Sequence, residues 1–159
     1  MTEQAPLSPR ERALAALEAS GINFTITEHG PVESLEEAAA ARGVDPSAIV
    51  KSMVVRRGEG DYLFVLVPGD RQISWPKFRK YLGISRATMP DADNALAVTG
   101  YVRGTITPFG SLTPWPVIAD SSILGTTVSI GAGAHGVAAT VDADQMIAAL
   151  GAQVADVCE

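Results

Sequence analysis

The sequence predicts an α+β fold: a mixed, curved β-sheet surrounded by helices. Three observations carry this. Helix-start signals recur along the chain, at Ser8-Pro9-Arg10-Glu11 and again at Ser34-Leu35-Glu36-Glu37, each with a Glu three residues after a Ser cap. The β-type runs fall between helices without the regular spacing of βαβ units. One run, "YLFVLVP" (62–68), is apolar at successive positions, so both its faces must be buried and it belongs inside a sheet.

Taken in order, the first element is a helix over about 8–20. Pro9 sits at its first position, Ala13, Leu14, Ala16 and Leu17 form its apolar stripe, and Gly21 ends it. "FTITEH" (24–29) alternates apolar and polar residues and reads as a strand. The second capping box opens an Ala-rich helix that stops at Gly43, and a short helical turn follows Asp45-Pro46. "KSMVVRR" and "YLFVLVP" flank "GEGD", which makes a β-hairpin. "ISWPKFRKYLG" is a helix capped by Ser74 with Pro76 in its first turn, and "PDADNALAVTG" is a shorter one. Beyond Gly100 the texture changes to Gly, Thr and Pro with short β runs, "VIAD", "TTVSIG" and "GVAATV". A last helix over 142–150 turns Met146, Ile147 and Leu150 inward.

Composition fits one domain spanning residues 1–159. The chain is 47% hydrophobic and 19% charged, which excludes a disordered segment. No apolar run reaches the roughly 20 residues of a membrane span. "MTEQAPLSPRER" has charge but no apolar stretch behind it, so no secretory signal is expected, and Asn23-Phe24-Thr25 then carries no glycosylation meaning. The single cysteine, Cys158, allows no internal disulfide and is expected in a frayed tail. A cytoplasmic setting fits all of this. Net charge is −6, yet residues 51–103 hold nine Lys/Arg against five acids. That basic middle on an acidic chain permits a local polyanion contact, but ordinary solvated side chains on a helix and strand edges are the better explanation from charge alone.

Several chemistries are unsupported. "GAGAHG" (131–136) matches G-x-G-x-x-G, but a dinucleotide fingerprint must open a helix, and here the β-type run "VAATV" follows. The only histidines, His29 and His135, have no second ligand at metal spacing, so no metal is expected. No nucleophile elbow and no Cys–His pair is present. Two features remain. "IVKSMVV" (49–55) carries one charge, Lys51, in an otherwise apolar strand. "TGYVRGTITPFG" (99–110) sets three glycines and a proline around two short β pieces, where backbone groups can approach a ligand closely.

Together these residues resemble the YbaK/prolyl-tRNA-synthetase-associated domain family, which deacylates mischarged tRNA. The resemblance covers about residues 24–150. "IVKSMVV" looks like the family's strand with its lysine, here Lys51. Gly104 to Pro108 looks like its G-x-x-x-P loop, and "VIADSSIL…VSIGAG" like its closing strand and glycine loop, with Gly131 and Gly133 in place. Ser52 stands where members usually have threonine. The resemblance implies a half-barrel-like sheet and an aminoacyl-tRNA hydrolase without cofactor. Lys51 would be catalytic. Ser52, Gly100, Gly104, Thr105, Ile106, Thr107, Pro108, Ser129, Gly131, Gly133 and His135 would contact substrate, and Arg56, Arg57, Lys77, Arg79 and Lys80 the tRNA. The implied partners are mischarged tRNA, foremost Cys- or Ala-tRNA(Pro), and an aminoacyl-tRNA synthetase. Two alternatives stay open: a tRNA- or nucleotide-binding module of the same fold without catalysis, and a deacylase for Ser- or Thr-charged tRNA. No carboxylate or histidine has to be a general base; one answer, which the resemblance favours, is substrate assistance, with the neighbouring ribose hydroxyl positioning or activating the water.

Overall fold

In the structure, a computed structural model, residues 6–159 are described; Met1–Ala5, where the stretch read as lacking a secretory signal begins, lie outside the described residues. The elements run α1 (Pro9–Ser20), β1 (Phe24–Glu28), α2 (Leu35–Arg42), a 3-10 turn (Pro46–Ala48), β2 (Ile49–Gly58), β3 (Asp61–Pro68), α3 (Trp75–Leu82), α4 (Ala92–Thr99), β4 (Val117–Asp120), a second 3-10 turn (Ser121–Ile123), β5 (Thr127–Gly131), β6 (Val137–Asp142), α5 (Ala143–Leu150) and β7 (Gln153–Ala155). The Ser8 cap is a full capping box with Glu11, and Ser34, Ser74, Asp91 and Asp142 each accept the N–H three residues on.

The strands form one seven-stranded sheet in the order β1-β6-β5-β2-β3-β4-β7. The β1–β6, β5–β6 and β2–β3 pairs are antiparallel; β2–β5, β3–β4 and β4–β7 are parallel. β1 and β7 end the sheet without pairing to each other, so it is mixed, curved and unclosed, as expected.

β3 explains the core. Its alternate residues Tyr62, Phe64 and Leu66 join a cluster with Leu17, Val128, Ile130 and Met146. Leu63, Val65 and Val67 point the other way, into a cluster with Phe78, Ile118 and Val157. Both faces are therefore covered, which is what the continuous apolar run required.

Two expectations fail. The stretch 99–110 holds no strand. Gly100, Gly104 and Gly110 take left-handed φ values of 81°, 91° and 76°, and the Thr105 hydroxyl donates to the Val102 carbonyl at 2.7 Å while Thr107 Oγ1 accepts the Phe109 N–H. Local side-chain bonding replaces a ladder there. Cys158 is also not in a frayed tail. It is buried, forms a bridge with Ile73, and is followed by a Glu159 N–H bond to the Gln72 carbonyl. The short strand β7, only three residues long and so too short to read in sequence, carries the chain back to the sheet and sets up this anchorage.

Candidate active site

β2 is paired with β3 along its length but with β5 only at Ile49 and Val50. Farther on, Arg56 exchanges backbone bonds with Thr88, 2.8 and 3.0 Å long. Between Val50 and Arg56 this edge of β2 has no strand partner among the described residues. Backbone groups alternate sides along a strand, so the bonds of Arg56 fix the N–H and C=O of Ser52 and Val54 on the open side. A cleft of about 610 Å³ lies against that edge. It is lined by Ile49 to Val54 of β2, Arg42 at the end of α2, Met89 to Ala92 and Ala95 around the start of α4, Arg103, Gly104 and Ile106, and Gly131 of β5.

Lys51 lines this cleft and is half-buried. Its Nζ donates to the Arg71 carbonyl at 3.1 Å, leaving two of its three N–H groups. That carbonyl is itself fixed. The Arg71 guanidinium donates to Asp120 Oδ2 at 3.3 Å and to the Glu159 backbone oxygen at 2.9 Å. Asp120 is fully buried and also accepts the N–H groups of Ser122 and Val157, both at 3.1 Å. Burial pushes its carboxyl up, but hydrogen bonds from Ser122 and Val157 outweigh this and hold it below the usual range.

The loop opposite is clamped from behind. Arg12 of α1 donates to the carbonyls of Gly110 and Gly100 at 2.8 and 2.7 Å and lies over the Tyr101 ring. The buried Tyr101 hydroxyl donates to the Phe109 carbonyl at 2.7 Å, and burial raises its pKa. The Gly133 N–H donates to the Thr105 carbonyl at 3.1 Å. Gly131 stays bare because a Cβ there would lie 3.1 Å from the Ile106 carbonyl oxygen. The glycine loop after β5 and the 104–108 loop thus support each other through backbone contact.

Of the residues singled out in sequence, Lys51, Ser52, Gly104, Ile106 and Gly131 line the cleft together. Thr105, Thr107 and Ser129 are buried, and neither they nor Pro108, Gly100 and Gly133 line the cleft. His135 is exposed and outside the lining; a Cβ on Gly104 would come 3.4 Å from its Cε1, and it borders a second hollow of about 380 Å³ with His29, Gly30, Pro31, Val32 and Gly136. None of Arg56, Arg57, Lys77, Arg79 and Lys80 lines the cleft. Arg57 bonds Asp61 at 2.9 Å, and Lys77 bonds Asp156 at 3.1 Å and the Cys158 carbonyl at 2.9 Å.

Sequence reading missed Arg42, Arg12 and the Met89–Ala92 wall. Arg42 looks like an ordinary basic residue in the last turn of a helix, and only the fold brings it to the cleft. Its Nη1 donates to Ser129 Oγ at 3.4 Å, its buried Nε has no hydrogen-bond partner among the described residues, and burial lowers its pKa. Among the described residues no carboxylate forms an ion pair with it. Among the described residues the one carboxylate in the lining, Asp91, is occupied as the α4 cap, accepting the Asn94 N–H at 2.8 Å. Among the described residues no three His, Cys, Asp or Glu side chains are grouped to hold a metal.

The family model described as the aminoacyl-tRNA editing domain matches residues 29–149. A proline–tRNA ligase of Thermosipho melanesiensis is 35% identical over 96 residues, 60% of this chain but 17% of the ligase, so the chain spans about a sixth of that relative's length. EbsC of Enterococcus faecalis, named for Cys-tRNA(Pro)/Cys-tRNA(Cys) deacylation, is 22% identical over 125 residues, 78% of this chain and 76% of EbsC. A crystal structure described as that of a trans-editing enzyme for prolyl-tRNA synthetase superposes with a TM-score of 0.86 at 27% identity, covering 98% of this chain and 99% of that one.

Proposed function

Because this chain belongs to the aminoacyl-tRNA editing domain family, we propose that it is a trans-acting aminoacyl-tRNA hydrolase, cleaving the ester that joins a wrong amino acid to the terminal ribose of tRNA(Pro). Cysteine is the first candidate for that amino acid and alanine the second. The similarity to EbsC supports cysteine. The substrate is the mischarged acceptor end, an aminoacyl-tRNA synthetase is the partner that supplies it, and the cytoplasm is the compartment.

The observation that carries the reading is the open edge of β2, with Lys51, Ser52, Gly104, Ile106 and Gly131 on one cavity. An aminoacyl ester is already activated, so the protein need only orient it, admit one water and stabilise the negative charge that grows on the carbonyl oxygen. The N–H groups of Ser52 and Val54 are free donors for that oxygen. Lys51 adds a compact positive charge whose position is set by the Arg71 carbonyl. Among the described residues no unengaged carboxylate or imidazole lines the cleft. The vicinal ribose hydroxyl of the substrate therefore positions the water; water adds to the carbonyl carbon, and the ester C–O bond breaks with a proton returned to the ribose oxygen. Arg56, Arg79 and Lys80 form the outer tRNA surface, while Arg57 and Lys77 must exchange their present carboxylate partners to join it.

The same lack of an unengaged base favours a second reading, binding without hydrolysis. A deacylation panel over Cys-, Ala-, Ser-, Thr- and Pro-charged tRNA separates the two. Release of cysteine or alanine from tRNA(Pro), with Pro-tRNA(Pro) spared, supports the first reading. Binding with every ester left intact supports the second, and preferred release of serine or threonine reassigns the amino acid.

A further inference from the structure

Arg42 is a half-buried cation on the wall of the cleft with an Nε that has no partner and no carboxylate in ion-pair range among the described residues. Among the described residues its only side-chain bond, to Ser129 Oγ, is long at 3.4 Å. An arginine cannot shed its charge to relieve burial, so an uncompensated guanidinium at such a place is costly unless a ligand completes it. The rest of the lining has the same sign. Lys51 and Arg103 add two positive charges, and among the described residues the only negative one is the helix-capping Asp91. The cleft is built for an anion.

The deacylase reading narrows which anion. An aminoacyl ester has no free carboxylate, and its α-amino group is cationic. The anions near the ester are the phosphodiesters of the tRNA 3′ end. We infer that Arg42 is a substrate-binding residue that takes a phosphodiester of the 3′-terminal CCA. Its planar fork can grip two phosphate oxygens, with Ser129 holding the side chain across the strand end. Arg103, exposed on the rim, meets the chain farther out. Arg42 then fixes the register of the strand in the cleft, which decides whether the ester reaches the open edge of β2.

The inference rests on the deacylase reading for its choice of ligand, but its test needs no hydrolysis. Binding of an uncharged acceptor-stem RNA ending in CCA is measured for the intact protein and for R42Q and R42K, with the last two phosphodiesters replaced singly by neutral methylphosphonate. Thermal unfolding of each variant checks folding. The expected result is a 10- to 100-fold weaker Kd for R42Q, about the worth of a charge-assisted hydrogen bond, with partial recovery in R42K. The slope of log affinity against log salt should fall by about 0.7. One neutral linkage should weaken the native protein but add little to R42Q. Equal affinity of R42Q and the native protein overturns the assignment, and so do fully additive losses at both linkages. Displacement of the RNA by millimolar orthophosphate alone would reassign the site to a free anion. If the deacylation panel fails while this cycle holds, the hydrolase reading falls and the phosphodiester site stands.

Discussion

The guanidinium of Arg12 stacks on the Tyr101 ring, 4.6 Å from its centroid. From there it donates to Gly100 and Gly110, the two ends of the loop that supplies Gly104 and Ile106 to the cleft. One side chain from the first helix thus closes the back of the site. Arg12→Ala should cost about 2–4 kcal/mol in denaturant unfolding, from two charge-assisted bonds and the stacked cation. Arg12→Lys should recover less than half, because an ammonium cannot span both carbonyls while stacked.

Gly133 joins the same helix to the glycine loop. Its φ is +88°, and a Cβ there would fall 2.5 Å from the Pro9 carbonyl oxygen. Gly133→Ala should therefore destabilise by about 3–5 kcal/mol, combining left-handed strain with a backbone clash. Gly125 has a similar φ of +72° but nothing within 4 Å, so Gly125→Ala should cost only about 1–2 kcal/mol. Paired thermal melts of the two variants compare strain alone with strain plus contact.

Cys158 should resist alkylation in the native protein. Burial, aided by the Asp120 charge, pushes its thiol up to about 12, so almost no thiolate exists at neutral pH. A thiol with a raised native pKa stabilises the fold fully below its unfolded value of about 8.5. That contribution is lost as pH rises from there through about 12. Labelling should appear only with global unfolding, and fast labelling of folded protein would contradict the anchored C-terminal strand.

Asp120→Asn should lower stability by about 2–3 kcal/mol, since the charge-assisted bonds from Ser122, Val157 and Arg71 are lost or weakened. The native pKa of Asp120 lies below its ordinary value. Its contribution is therefore present above about pH 4 and disappears as pH falls through the depressed native value. An acid titration of stability should show the native protein losing more than the variant below about pH 4. The variant should also slow deacylation, because Arg71 carries the carbonyl that holds Lys51.

The parts legible in the sequence were those set by local rules. The Ser8 box, the Ser34 cap, the Gly21 and Gly43 stops and the two-sided apolar run of β3 each name their own structure, although Glu37 reaches back to the Glu33 N–H and so does not close a full box at Ser34. Lys51 stood out because charge is rare inside such a run. Arg42 and Arg12 did not, because a basic residue on a helix is unremarkable until the fold shows what it faces. The 99–110 stretch was misread as β because Thr and Val favour strands, whereas three left-handed glycines and two threonine hydroxyls hold it as a loop. The open edge of β2 was invisible for a further reason: whether a strand has a neighbour is decided by strand order, which is not a property of the strand's own residues.

The central claim is that Lys51 acts on the ester at the open edge of β2. Single-turnover deacylation of Cys-tRNA(Pro) by the native protein and by Lys51→Ala tests it directly, with unfolding curves run on both. The rate should fall about 100-fold or more with the fold retained. A folded Lys51→Ala protein that hydrolyses the ester at the native rate would contradict it.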